Sequence, residues 1–96
     1  MAALTLITNS DRQLKPLIEA AIVNELRLLE AGLRRTQARL SAFEKQYGLT
    51  TEEFLTRYEN DELQETLDLA EWIGEVRLLS RLREKVEALR NVRFEN

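Results

Sequence analysis

Between Leu26 and Tyr47 the chain sets apolar, aromatic or small side chains at steps of three and four without a slip: Leu26, Leu29, Leu33, Thr36, Leu40, Phe43 and Tyr47. Such spacing lays seven positions along one seam of an α-helix, the rhythm of coiled coils and helical bundles. Ile18 and Ile22 carry the seam back by another turn. The pattern predicts a helix that starts between Ser10 and Pro16, where a proline suits the first turn, and runs to about Gln46, just before the Gly48 stop. Away from the seam lie Leu17, Ala21, Leu28, Ala31, Ala38 and Ala42. These either admit a second close neighbour or fill exposed positions with good helix formers. Gly32 in mid-helix implies close packing or a mild bend.

Thr50-Thr51-Glu52-Glu53 then reads as a capping box that opens a short helix to about Tyr58, with Phe54, Leu55 and Tyr58 as its apolar contacts. Glu59-Asn60-Asp61 interrupts it, and Asn60 or Asp61 is placed to cap a last helix from about Glu62 to Leu89. Leu69, Trp72, Val76, Leu79, Leu82, Val86 and Leu89 form the buried stripe of that helix, widened at its start by Leu63 and Ile73. Only Met1–Asn9 leans toward β structure, through Thr5-Leu6-Ile7-Thr8.

The expected fold is all-α. A long antiparallel helical hairpin with a short connecting helix occupies residues 14–90, preceded by an arm (1–13, a short strand or disordered) and followed by a frayed tail (91–96). Two helices leave too much of their stripes in water, so self-association into a four-helix-type bundle is expected. The seam assigned to that dimer is Leu26, Leu29, Leu33, Leu40, Phe43, Val76 and Leu79.

With 96 residues, the chain makes one small domain. Cysteine and histidine are absent, which excludes a disulfide framework, a Cys/His zinc site and nucleophile–histidine pairs. Neither a secretory leader nor an apolar run of about 20 residues is present, so a cytoplasmic protein with no membrane partner is expected. No cofactor is expected either.

The net charge of −3 conceals a polarity. Residues 52–75 hold nine acidic side chains against one Arg, a net −8, whereas residues 77–93 hold six basic against two acidic, a net +4. Part of this split matches the helix dipole, which favours acids in a first turn and bases in a last one. Glu71 and Glu75 lie beyond the first turn and have no basic residue three or four positions on. With Glu65, Asp68 and Trp72 they form the expected partner-binding surface, Trp72 serving as its anchor. A carboxylate metal site would draw on Glu62 and Glu65, or on Asp68, Glu71 and Glu75, but the set lies on one helix with no histidine. Nucleic acid is an unlikely partner: Arg34, Arg35 and Arg39, or Arg77, Arg81 and Arg83, sit in an acidic chain without a helix-turn-helix.

Phe43-Glu44-Lys45-Gln46-Tyr47-Gly48-Leu49-Thr50-Thr51-Glu52-Glu53-Phe54-Leu55, followed by Asp68-Leu69-Ala70-Glu71-Trp72, resembles the pattern of small all-helical antitoxins encoded beside bacterial toxins, the TumA-like kind included. The resemblance covers Phe43 to Leu89 and does not extend to an N-terminal DNA-binding module, since a long heptad helix stands there instead. It implies a non-enzymatic protein-interaction module, the antitoxin of a toxin–antitoxin pair, that neutralises a basic toxin through an acidic helical face. Two other readings stand beside it: a structural or adaptor homodimer with no toxin, and a metal-dependent all-α nucleotide hydrolase.

Overall fold

The structure, a computed structural model, describes residues 3–8 and 14–94. Three helices account for most of them: α1 (Leu14–Tyr47), α2 (Thr51–Glu59) and α3 (Leu67–Arg90). Residues 3–8 are exposed and carry no regular structure, so of the two readings of the arm the short strand does not form over them. The caps considered at Ser10 and Asp11 lie outside the described residues.

α3 returns antiparallel along α1. The pairs that meet across the two helices run in opposite order: Tyr47 with Asp68, Arg39 with Glu75, the Gly32 position with Leu82, Glu30 with Arg90. The result is a rod 61 Å long and 26 by 18 Å across. Gly32 faces α3, where a Cβ would meet Leu82 Cδ1 at 3.4 Å, about the distance of an ordinary contact.

The turn between α1 and α2 follows the sequence signals closely. Gly48 takes the left-handed φ of 67° that glycine adopts without strain, and its N–H bonds the Glu44 carbonyl at 2.9 Å. Thr50 Oγ1 accepts from the Glu53 N–H at 3.0 Å while Glu53 Oε1 accepts from the Thr50 N–H at 3.0 Å, completing the capping box. Glu44 also reaches forward, accepting from the Thr51 N–H at 2.7 Å.

The second turn departs from expectation. α3 begins at Leu67, not near Glu62, and its cap is Thr66, whose Oγ1 accepts from the Leu69 N–H at 3.2 Å. Asn60 and Asp61 instead close α2. Asn60 is its C-cap, and Asp61 sits at φ 57°. The Asp61 N–H bonds the Tyr58 carbonyl at 3.1 Å and the Glu62 N–H bonds the Arg57 carbonyl at 2.9 Å. This is the bond pair of a Schellman motif, and aspartate tolerates its left-handed position better than most residues. A chain leaving that turn cannot re-enter a helix at once, which is why α3 starts five residues late.

Burial concentrates at the α2 end. Leu40, Phe54, Leu69 and Trp72 form the central cluster, with Phe43, Leu55, Tyr58, Leu63 and Ile73 packed around it. Trp72 and Phe54 are fully buried and stacked, centroids 3.9 Å apart and planes 7° apart. Phe43 and Tyr47 of α1 also stack on Trp72, at 5.4 and 5.8 Å. The indole N–H donates to Thr51 Oγ1 at 3.2 Å, so the one polar atom of the ring is satisfied. Along the rest of the hairpin burial is thin, with Leu29, Thr36 and Val86 the further buried side chains among the described residues.

Candidate functional site

Two surfaces stand out: an acidic tip formed by α2 and the turn after it, and a groove along one flank of the hairpin.

At the tip, the structure sorts the carboxylates into two kinds. One kind is engaged within the chain. Asp68 Oδ2 accepts from the Tyr47 hydroxyl at 2.7 Å and from Gln46 Nε2 at 3.2 Å. Glu65 accepts from the Tyr58 hydroxyl, at 2.9 Å to Oε1 and 3.2 Å to Oε2. These bonds to carboxylates raise both phenols above their ordinary pKa of 10.0, since a phenolate would lose the bond and face a like charge. Glu53, held by the Thr50 backbone N–H and hydroxyl, is lowered below its ordinary 4.5. The other kind faces water. Among the described residues, Glu52, Glu59, Asp61, Glu62 and Glu71 are exposed and make no side-chain hydrogen bond or ion pair.

The groove runs between α1 and α3. Its deeper part is lined by Leu28, Gly32, Arg35 and Thr36 of α1 and by Leu78 and Leu82 of α3. Past Arg39 it continues between Ala42 and Gln46 on one wall and Glu71, Gly74 and Glu75 on the other. Arg39 Nη1 meets Glu75 Oε1 at 2.8 Å and closes the floor between the two parts. Glu75 Oε2 is buried there without a hydrogen-bond partner. Leu28 is 59% exposed on this flank. Gly74 faces open space: apart from its chain neighbours and the backbone of its own helix turn, nothing in the described chain comes within 4 Å of where its Cβ would stand. A glycine inside a helix costs about 1 kcal/mol against alanine, and nothing in the described chain uses the gap it leaves. The other flank is lined by Glu30, Arg34, Gln37, Arg83, Glu87 and Arg90 around Leu33 and Val86.

The expected partner-binding residues are thus divided. Glu71 stands free at the tip, where it also borders the groove. Glu65 lies in the turn before α3 rather than on it, and Asp68 and Glu75 are held by α1. Trp72, expected both on the buried stripe of the last helix and as the anchor of this surface, lies at the centre of the core, and at 0% exposure it offers no face in the single chain. Its helical phase is the reason, since it lies on the same stripe as Leu69 and Val76. Sequence reasoning passed over Leu67, 76% exposed and one turn before Glu71 on α3, which is the apolar side chain the tip does present. The only signal for it was its position off the buried stripe.

The residues expected at the dimer seam fall into two groups within the single chain. Leu29 and Leu40 are buried within one chain, and Phe43, Val76 and Leu79 pack on its core, while Leu26 and Leu33 stay half-buried. The heptad rhythm marks where α1 receives α3 of its own chain.

Among the described residues no group of three or more acidic, His or Cys side chains is gathered as a metal ion requires, and no helix is long and apolar enough to cross a membrane. Comparison with protein-family models, with curated proteins and with solved structures finds no match to the chain.

Proposed function

We propose that this chain is a self-associating protein-interaction module whose acidic tip captures a basic partner, in the manner of an antitoxin that occupies a cationic cleft of its toxin. The observation that carries the reading is the set of carboxylates at the tip, Glu52, Glu59, Asp61, Glu62 and Glu71, that the described chain leaves without partners. Like charges so crowded repel one another, and a basic partner relieves that repulsion. The scaffold beneath is rigid: stacked Trp72, Phe54 and Phe43 fix α2 on the hairpin, so the charges are held in place before binding. Leu67 supplies apolar contact in the middle of the acidic field. The resemblance of the stretch from Phe43 to Trp72 to small helical antitoxins supplies the class of partner, a toxin encoded nearby.

The test is calorimetric titration of the chain against the protein encoded beside it, at two salt concentrations. Glu52, Glu62 and Glu71 are replaced together by Gln, since none of them is bonded within the described chain. A drop in affinity of tenfold or more, with a flatter salt dependence, is expected. Equal binding by the variant and the parent would remove the tip from the interface.

A second reading, a structural or adaptor homodimer with no toxin, is favoured by one observation of its own: the open groove that exposes Leu28 beside Leu82. It differs in predicting association without any requirement for the acidic tip.

A further inference from the structure

We infer that the groove between α1 and α3 docks a second copy of this chain, and that the two rods lie antiparallel, so that the two acidic tips stand at opposite ends of the dimer. The inference rests on the self-association just proposed and assigns it a face and a direction.

Surface area sets the demand. The chain exposes 8046 Å², where a compact monomer of this length exposes about 5,700 Å². Setting aside all the surface that residues 1–13 could present as extended chain, at most about 2,000 Å², and taking about 5,100 Å² for a compact body of the remaining residues, the excess is still roughly 900 Å². That is about what each partner of a standard interface buries.

The groove is where an apolar side chain is left in water: Leu28 is largely exposed beside the half-buried Leu78 and Leu82, with Arg35 and Arg39 on the same wall as Leu28. Gly74 and Ala42 leave its upper half shallow, and the gap at Gly74 lets a foreign helix approach closely.

Charge sets the direction. A twofold axis along the rod would stack tip on tip, bringing two stretches of net −8 together. A twofold axis across the rod instead brings each tip to the far end of its neighbour. There residues 83–93 hold four basic side chains against two acidic, and residues 14–30 of α1 hold Lys15 and Arg27 against Glu19, Glu25 and Glu30, a net +1 in all. Each tip of net −8 is thereby kept away from its twin and set against an end that does not repel it, twice over, as an isologous interface requires.

The experiment uses the full chain and reads two quantities. Analytical ultracentrifugation compares the parent with Gly74→Gln and Leu28→Glu, both of which the single chain accommodates at exposed positions, and with Gln37→Glu on the opposite flank. The groove variants are expected to weaken dimerisation at least tenfold with helicity unchanged, and Gln37→Glu is expected to leave it intact. A spin label at Glu52→Cys, the only cysteine in the chain, then gives tip-to-tip distance in the dimer. The expected value approaches the length of the rod, on the order of 50 Å from helix rise. A distance below about half of that rod length overturns the antiparallel arrangement, and dimers indifferent to Gly74→Gln and Leu28→Glu overturn the groove. A parent chain monomeric at every concentration fails the self-association reading itself, and the groove with it.

Discussion

Trp72 of α3 and Phe54 of α2 stack face to face at 3.9 Å, both wholly removed from water, and this contact ties the connecting helix to the hairpin. Replacing Trp72 by Ala removes the ring on which Phe43, Tyr47 and Phe54 all rest. The expected loss is about 3–5 kcal/mol, a large share of the stability of so small a domain. Because Trp72 is the single tryptophan of the chain, Phe54→Ala offers the optical counterpart. It is expected to red-shift tryptophan emission and lower the denaturant midpoint at fixed protein concentration. Unchanged emission would place the indole elsewhere.

The Arg39–Glu75 pair is lopsided, the arginine side chain 62% exposed and the glutamate side chain 15%. Removing either member is therefore unequal. Arg39→Ala strands a mostly buried charge and is expected to cost about 1 kcal/mol or a little more, tempered by the exposure of the arginine. Replacing both together by Ala and Leu relieves the stranded charge, so the double variant is expected to be more stable than Arg39→Ala alone. Thermal melting of the four chains in a double-mutant cycle checks this. A double variant no better than Arg39→Ala would count against it.

Asp61 holds a left-handed φ of 57° at the end of α2, a position that glycine occupies at Gly48 after α1. Asp61→Gly is expected to stabilise the chain by up to about 1 kcal/mol, the relieved backbone strain outweighing added freedom in the unfolded chain. In a domain of this size that is a rise in Tm of about 4–8 °C per kcal/mol. A fall in Tm would show that the Asp61 carboxylate contributes more than its backbone costs.

Stability is expected to fall at both ends of the pH range, for opposite reasons. Tyr47 and Tyr58 have raised pKa values through Asp68 and Glu65, so their contribution is present below pH 10 and lost as pH rises through the raised values. Glu53 has a lowered pKa through its bonds to Thr50, so its contribution is present above its ordinary 4.5 and lost as pH falls through the lowered value. Urea midpoints measured against pH test both limbs. Tyr47→Phe with Tyr58→Phe should flatten the alkaline limb alone, and Thr50→Ala should flatten the acid limb while costing about 1 kcal/mol at neutral pH. An alkaline limb that survives the loss of both phenols would assign it to other groups.

Much of the fold was legible because it is written in short-range terms. The steps from Leu26 to Tyr47, the Gly48 stop and the Thr50–Glu53 box each depend on residues within a turn or two of one another, and each stands where the pattern placed it. The start of α3 was misplaced for a related reason: Asn60 and Asp61 suit either end of a helix, and only the backbone bonds of Asp61 and Glu62 show which end they serve.

What the sequence determined by itself is an all-helical chain with one long seam, a capped connecting helix and charges split by sign. The tertiary structure decided which partner each face meets. A stripe at helical spacing records that a side is buried, and it is silent on whether the neighbour belongs to the same chain. Docking of α3 on α1 placed Trp72 inside, paired Glu75 with Arg39 across 36 positions, and left Leu28 and Gly74 open on the flank. Those outcomes turn on which two helical phases face each other, a long-range choice settled by how Gly32, Leu82 and the stacked aromatics fit together.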